Sequence, residues 1–433
     1  MEADPRTEAP ARARSPWTWI PTLYLAEGLP YVVVMTVSVI MYKGFKISNT
    51  DIALYTSWLY LPWVIKPLWS PVVDILGTRR LWIWVTQLLM GAGFAGVALV
   101  LPLPGFLQWT LAFFWLMAFN SATHDIAADG FYLIGTREDE QAFFVGVRTM
   151  FYRIATIAGQ GLLVMLAGHI QDRGGSVASA WSTAMGTLAV LFLLFGVWHR
   201  FILPRPASDR PGEAREIPHF VREFLATFGS FFRKPRIVVL MLFLLLYRFG
   251  EAQLVKMTSP FLLDARAQGG LGLTTTEVGF IYGTIGILAL TAGGILGGIA
   301  VSRQGLKTWL WIMLLAIHLP DAVFIYLAYA QPANLFLTQL CIAVEQFGYG
   351  FGFTAYLMYM IHIARGPHQT AHYAICTGFM ALGMMIPGMW SGWLADHIGY
   401  RHFFTWVIVA TVPSFVVTLW LPLEAGFGRK ANA

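Results

Sequence analysis

Residues 120–135, NSATHDIAADGFYLIG, lie inside an apolar run that begins near Phe106, yet they carry His124, Asp125 and Asp129. A carboxylate at the middle of a bilayer costs roughly 2.5–3.5 kcal/mol on insertion scales, and more when nothing pairs with it. Asp125 and Asp129 are four apart, so a helix points both from one face. Such a face needs a water-filled cavity or buried cationic partners beside it. The stretch reads as one wall of a transport pathway.

The rest of the chain supplies the membrane. Of 433 residues, 57% are hydrophobic and only 12% are charged, and the mean hydropathy is +0.61. Soluble domains carry about twice that share of charge. The composition is that of a polytopic membrane protein with the lipid bilayer as its main partner. Tryptophans such as Trp17, Trp58, Trp69, Trp82 and Trp109 fall near segment ends, where interfacial aromatic belts form.

A bilayer crossing needs about 20 mostly apolar residues. Twelve segments meet that condition, near 17–41, 52–74, 81–103, 107–134, 139–168, 177–199, 236–263, 276–301, 308–330, 333–364, 369–395 and 402–424. The fold expected is all-α, with twelve transmembrane helices in two six-helix bundles, 17–199 and 236–424. The Pro-rich, charged stretch 200–235 separates them as a cytoplasmic linker, with a surface helix over His219 to Phe232. Residues 1–16 and 425–433 read as cytoplasmic tails, the first disordered and without the apolar core of a signal peptide.

Lys and Arg set the orientation. With the N-terminus inside, inner loops and tails hold about 18 of the 29 basic residues, and outer loops about five: Lys43, Lys46, Arg173, Arg266 and Arg401. Both termini are therefore expected in the cytoplasm. Loop placement also explains the net charge of +6 without a nucleic-acid partner. Cys341 and Cys376 lie in apolar segments and read as small buried hydrophobes. No disulfide framework, metal-ligand spacing or cofactor motif is present.

Charges inside the bundle are the candidate site. In the first half these are Glu27, Lys66, Asp125, Asp129 and Arg148; in the second, Arg248, Glu251, Lys256, Asp321 and Glu345. Asp125 and Arg148 flank one short inner turn at nearly equal distance, which predicts that they meet. Asp129 or Asp125, then Glu345 and Glu27, are the candidate proton carriers. Lys66, Arg148, Arg248 and Lys256 could bind solute carboxylates, Arg through forked contacts. His124 could join a proton relay, while His199 and His397 carry no functional signal. Tyr152, Tyr349, Tyr247, Tyr356 and Trp63 could stack on a sugar or bond its hydroxyls. Gly293–Gly297, Gly294–Gly298 and Gly388–Gly392 have the spacing of close helix contacts. Gly348, Gly350 and Gly352, together with Pro387, read as bending points for gating or as simple kinks against neighbouring helices.

The loop after the second segment, Ser70 to Arg80, reads SPVVDILGTRR. Through Asp74, Gly77, Arg79 and Arg80 it resembles the loop signature of the major facilitator superfamily, in which such residues latch one conformation. Ser70 stands at the opening Gly, and an echo from Asp396 through Gly399 to Arg401 lies on the outer side. YLPWVIKPLWSPVVD at 60–74 and HDIAADG at 124–130 look like AmpG-type muropeptide permeases and the related acetyl-coenzyme A transporters. His124 takes the place of a Gln expected in both. The resemblance implies a monomeric, proton-coupled importer of anhydromuropeptides for cell-wall recycling, multi-pass in the inner (cytoplasmic) membrane. Another anionic solute such as an acyl-coenzyme A is the alternative. A membrane-embedded transferase is the reading outside the transporter class; even halves and midplane charges speak for a carrier, not an enzyme.

Overall fold

Twelve helical spans run alternately from the inner to the outer side in the computed structural model, which describes residues 14–211, 217–424 and 426–429. Side chains at 71, 74, 138, 139, 142, 217–221, 223 and 224 are outside that description, as is most of each expected tail. Eight stretches, from Pro16–Gly44 to Gln369–Thr418, are long and apolar enough to cross a membrane on composition. The last of them holds two spans, because Gly399 at φ 72° breaks the helix. Phe106–Gly135 and Leu335–Ala364, each 30 residues long, complete the set with the second span, Asn49–Trp58 continued by Leu61–Leu76.

Local chemistry fixes the span ends. Ser48, Thr78, Ser176 and Thr274 each accept a hydrogen bond from a first-turn N–H of the helix they precede. Such caps supply partners for donors that the helix itself cannot satisfy. At the inner start of the fifth span the Arg137 N–H donates to the Glu140 carboxylate at 3.2 Å. The connection between halves carries a helix, Ile217–Phe232, close to the expected surface helix. It packs on the inner end of the eleventh span, where Ser230 bonds His372 Nε2 at 2.9 Å.

Three spans widen into π-helix at the level of the bundle centre. Val33–Val37 in the first, Ile157–Leu163 in the fifth and Ile281–Gly286 in the eighth are π-turns. The first follows Pro30, which removes a backbone donor from its helix. Single π-turns inside helices are frequent at functional sites. Apolar periodicity does not reveal them.

Glycines draw the second half together. A Cβ on Gly350 would collide with Leu290 O of the eighth span, whereas Gly348 and Gly352 face Pro320 and Ile317 of the ninth. The tenth helix is unbroken from Leu335 to Ala364, so these glycines serve close packing and not bending. Gly297 likewise accommodates Thr354. Gly350→Leu is therefore expected to destabilise by about 1–3 kcal/mol or more through overpacking. A lowered Tm in detergent would register it; an unchanged Tm would contradict the packing role.

Candidate functional site

Where the halves meet, a cavity of about 410 Å³ is lined by both of them. The first half contributes Tyr24, Glu27, Tyr31, Tyr60, Arg148, Tyr152, Arg153 and Gln160; the second contributes Arg248, Tyr282, Gln346, Tyr349, Phe353, Met380 and Met384. All three π-turns reach its wall, through Met35 and Thr36, Gln160, and Tyr282. The lining is aromatic and cationic, with Glu27 as its one carboxylate among the described residues.

Its charges are paired in a definite order. Arg148 Nη2 donates to Asp129 Oδ1 at 2.5 Å, and its guanidinium lies 4.5 Å from the Tyr24 ring and 5.0 Å from that of Tyr132. Lys66 Nζ stands 3.4 Å from Asp125 Oδ2, which also accepts from Trp63 Nε1 at 3.3 Å. The expected Asp125–Arg148 pair is thus replaced by two others. The Arg side chain is about a helical turn long and reaches back toward the inner surface, as long cationic side chains do. Arg148 so meets the acid one turn nearer that surface, leaving Asp125 to the shallower reach of Lys66.

Arg248 faces the cavity from the other side. It holds Glu251 by Nε at 2.5 Å and Nη2 at 2.8 Å, and Nη2 also donates to Tyr349 Oη at 2.8 Å. Phe353 offers its ring face at 4.7 Å. Forked pairing plus stacking fixes this guanidinium in orientation.

The other expected residues are placed elsewhere. Lys256 is buried, donates across the halves to Thr56 Oγ1 at 3.0 Å, and sits 5.5 Å from the Tyr60 ring. Glu345 is buried against Gln346 Nε2. His124 is fully buried, 2.9 Å from Gln87 Nε2; Gln87 Oε1 in turn meets His199 Nδ1 at 2.8 Å. His199, which gave no signal in the sequence, closes this chain on Thr22 Oγ1 at 3.0 Å. The chain ties spans one, three, four and six together away from the cavity. Tyr247 and Tyr356 bond the carbonyls of Gly352 and Leu244 inside the second half, so neither reaches a solute. At the inner loop, the side chain of Asp74 is outside the described residues. Gly77 ends the second span in extended backbone, and the N–H groups of Arg79 and Arg80 donate to Asp209 of the connection at 2.8 and 3.1 Å.

Closure is asymmetric. On the outer side Asp396 accepts from Thr50 N at 2.9 Å and Thr50 Oγ1 at 2.8 Å, so it binds the exposed start of the second span. Tyr400 Oη donates to Asp264 at 2.7 Å and accepts from Asn49 Nδ2 at 2.9 Å, and Lys43 pairs with Asp264 at 2.7 Å. Thr276 donates to Asp172 at 2.7 Å. Below these bonds small residues let the halves touch backbone to backbone. A Cβ on Gly279 would lie 2.9 Å from Met165 N and one on Gly161 3.2 Å from Gly283 O, while one on Gly392 would collide with Asn49 O. Toward the inner side, in contrast, the Arg148 and Asp129 side chains are 26% and 48% exposed. The outer echo from Asp396 to Arg401 thus belongs to the seal. The glycines of the fifth and eighth spans were missed, although their spacing (Gly161 and Gly168; Gly279, Gly283 and Gly286) was there to be read.

Gly283 faces Gln160 and Gly161 across this seal without room for a side chain. Gly283→Val is expected to hold the outer side apart. In a Cys341→Ala, Cys376→Ala background, a cysteine at Gln160 should then react faster with a membrane-impermeant thiol reagent. Equal labelling with and without Gly283→Val would refute the seal.

Comparison with known proteins agrees with this architecture. The sequence profile of the Major Facilitator Superfamily matches residues 22–319. The chain is similar to the anhydromuropeptide permease of Escherichia coli, 24% identical over 411 residues, which are 92% of this chain and 78% of that one. A D-xylose-proton symporter superposes with a TM-score of 0.72 at 12% identity, over 96% of this chain and 99% of that one. A bacterial homologue of the human lysosomal transporter Spinster, inward-facing and unoccupied, gives 0.66 at 15% identity, over 95% and 96%. Twelve spans, a chamber between two halves and a profile match over most of the length have one meaning: the chain belongs to the Major Facilitator Superfamily and is a multi-pass membrane transport protein.

Proposed function

We propose that the protein is a proton-coupled carrier that imports an anionic amphiphilic solute, most specifically an anhydromuropeptide, across the inner membrane by alternating access. One observation carries the reading: Arg148 and Arg248, each already held by one acid, face a tyrosine-rich chamber shared by the two halves. Muropeptides bring carboxylates, a sugar and a peptide. Guanidinium groups suit the carboxylates, and Tyr24, Tyr152 and Tyr349 suit the sugar by stacking and by hydroxyl contacts. The permease similarity supports the same solute.

Coupling follows from competition for one cation. A solute carboxylate that bonds Arg148 takes the partner of Asp129, and a proton on that acid, or on Glu27 beside it, restores neutrality. Glu27 is 8% exposed, lines the chamber and has Oε2 without a partner among the described residues. Asp125 keeps Lys66 and is the less available acid. Solute and proton would then cross together as the halves rock about the chamber, the outer seal parting while the inner side closes. The protein works as a monomer in this scheme, since one chain supplies both halves of the site.

Proteoliposomes test it. Labelled anhydromuropeptide should accumulate under an imposed inward proton gradient and fail to accumulate without one. Glu27→Gln is expected to abolish accumulation yet keep solute counterflow, whereas Arg148→Ala should lose both, since it removes the chamber cation that pairs with Asp129. Arg248→Lys should raise the KM, because an ammonium cannot hold Glu251, Tyr349 and solute at once. Uptake indifferent to the gradient in wild type would discard the coupling.

A further inference from the structure

Away from the chamber, the second half buries acids that the carrier scheme leaves idle. Asp321 is 1% exposed and neither carboxyl oxygen has a partner among the described residues. Glu345 is 2% exposed and is bonded only through its neighbour Gln346 among the described side chains. Asp321 and Glu345 lie roughly 14–15 Å from the outer ends of their helices at 1.5 Å per residue, so they share a level. The ninth and tenth spans are in close contact there: a Cβ on Gly348, one turn from Glu345, would meet Pro320 Cγ at 2.7 Å. The charges of Glu345 and Glu251 are the ones that reach Asp321.

The backbone beside Asp321 is also unusual. The ninth span breaks from α-helix into a 3-10 turn over Leu319–Ala322. Pro320 has no N–H, so the Ala316 carbonyl loses its α-helical donor. That carbonyl points at Gly348 of the tenth span. His318 Nε2 lies 2.9 Å from Ser414 Oγ, which donates its own proton to Thr411 O. Asp321 is thus left without a donor among the described residues. Buried carboxyl groups nearly always find partners.

We propose that Asp321 and Glu345, on adjoining spans beside the Pro320 break, form a site for one monovalent cation, H⁺ or Na⁺. Gln346 connects it to the solute chamber, whose wall it also lines. No three His, Cys, Asp or Glu side chains among the described residues come together as a metal cluster, which disfavours a divalent ion. One or two carboxylates with backbone carbonyls at a helix break suit a coupling cation in a carrier. The groups facing the site are His318 on its own span, Glu345 on the tenth, Glu251 with its partner Arg248 on the seventh, and Tyr282 beside Glu345 on the eighth. The twelfth faces His318 with the Ser414 hydroxyl. The cation occupies the second half while Glu27 and Asp129 serve the first, so coupling is divided between halves.

The proposal rests on the carrier reading, but its test needs no solute. Full-length protein is purified as wild type, Asp321→Asn and Glu345→Gln. Thermal unfolding is followed as NaCl replaces KCl at constant ionic strength. Infrared carboxyl-stretch difference spectra are taken between acidic and alkaline buffer. A Na⁺ site gives a Tm rise in wild type that both variants lose. A proton site gives no Na⁺ effect, and a titrating carboxyl band that Asp321→Asn removes and Glu345→Gln shifts. Variants that keep the wild-type Na⁺ response and carboxyl bands overturn the proposal, as does a wild type that shows neither signal. Should Asp321→Asn fail to fold, Glu345→Gln decides alone by the same readouts. Absence of muropeptide uptake in proteoliposomes would count against the solute and leave this result standing.

Discussion

A charge taken into a protein interior is stabilised by an opposite one, and three ion pairs inside this protein follow from that. Arg148 and Asp129, Lys66 and Asp125, and Arg248 and Glu251 each pair within one half. The cost of separating such a pair in a low-dielectric interior is several kcal/mol by the usual estimates. A solute able to replace one partner therefore acts on the whole assembly.

Closeness of backbones is the second constraint. The outer seal is polar at its rim, where Asp396, Tyr400, Asp264 and Lys43 bond across the halves. Deeper in, glycines of the fifth, eighth and eleventh spans bring main chain against main chain. Hydrogen bonds at the rim can exchange with water when the seal parts, and glycine contacts leave no interlocked side chains to disengage. The π-turns sit at the same level and widen the chamber just below the contact.

Much of this was legible in the residues themselves. Twelve apolar runs, a charged connection after the sixth and an excess of inner-loop Lys and Arg require no tertiary information, because hydrophobic thickness and the positive-inside rule act on local sequence. Intramembrane Glu27, Arg148 and Arg248 stood out as chemistry for the same reason, and the chamber contains all three. Periodicity was less help with partners. It gave Asp125 to Arg148, where side-chain length gives Asp129. It passed over His199, whose place in the chain from Thr22 to His124 depends on the rotation of four helices.

The sequence by itself determined that the chain crosses a bilayer twelve times in two groups of six, which way it faces and which charges its interior carries, since each of these follows from transfer free energies of individual segments. Only the tertiary structure decided which charge meets which, that Lys256 bridges the halves instead of lining the chamber, that the outer side is the closed one, and that Asp321 is left without a partner. Those outcomes turn on helix rotation and on distances of a few ångströms between segments far apart in the chain, which no local pattern encodes.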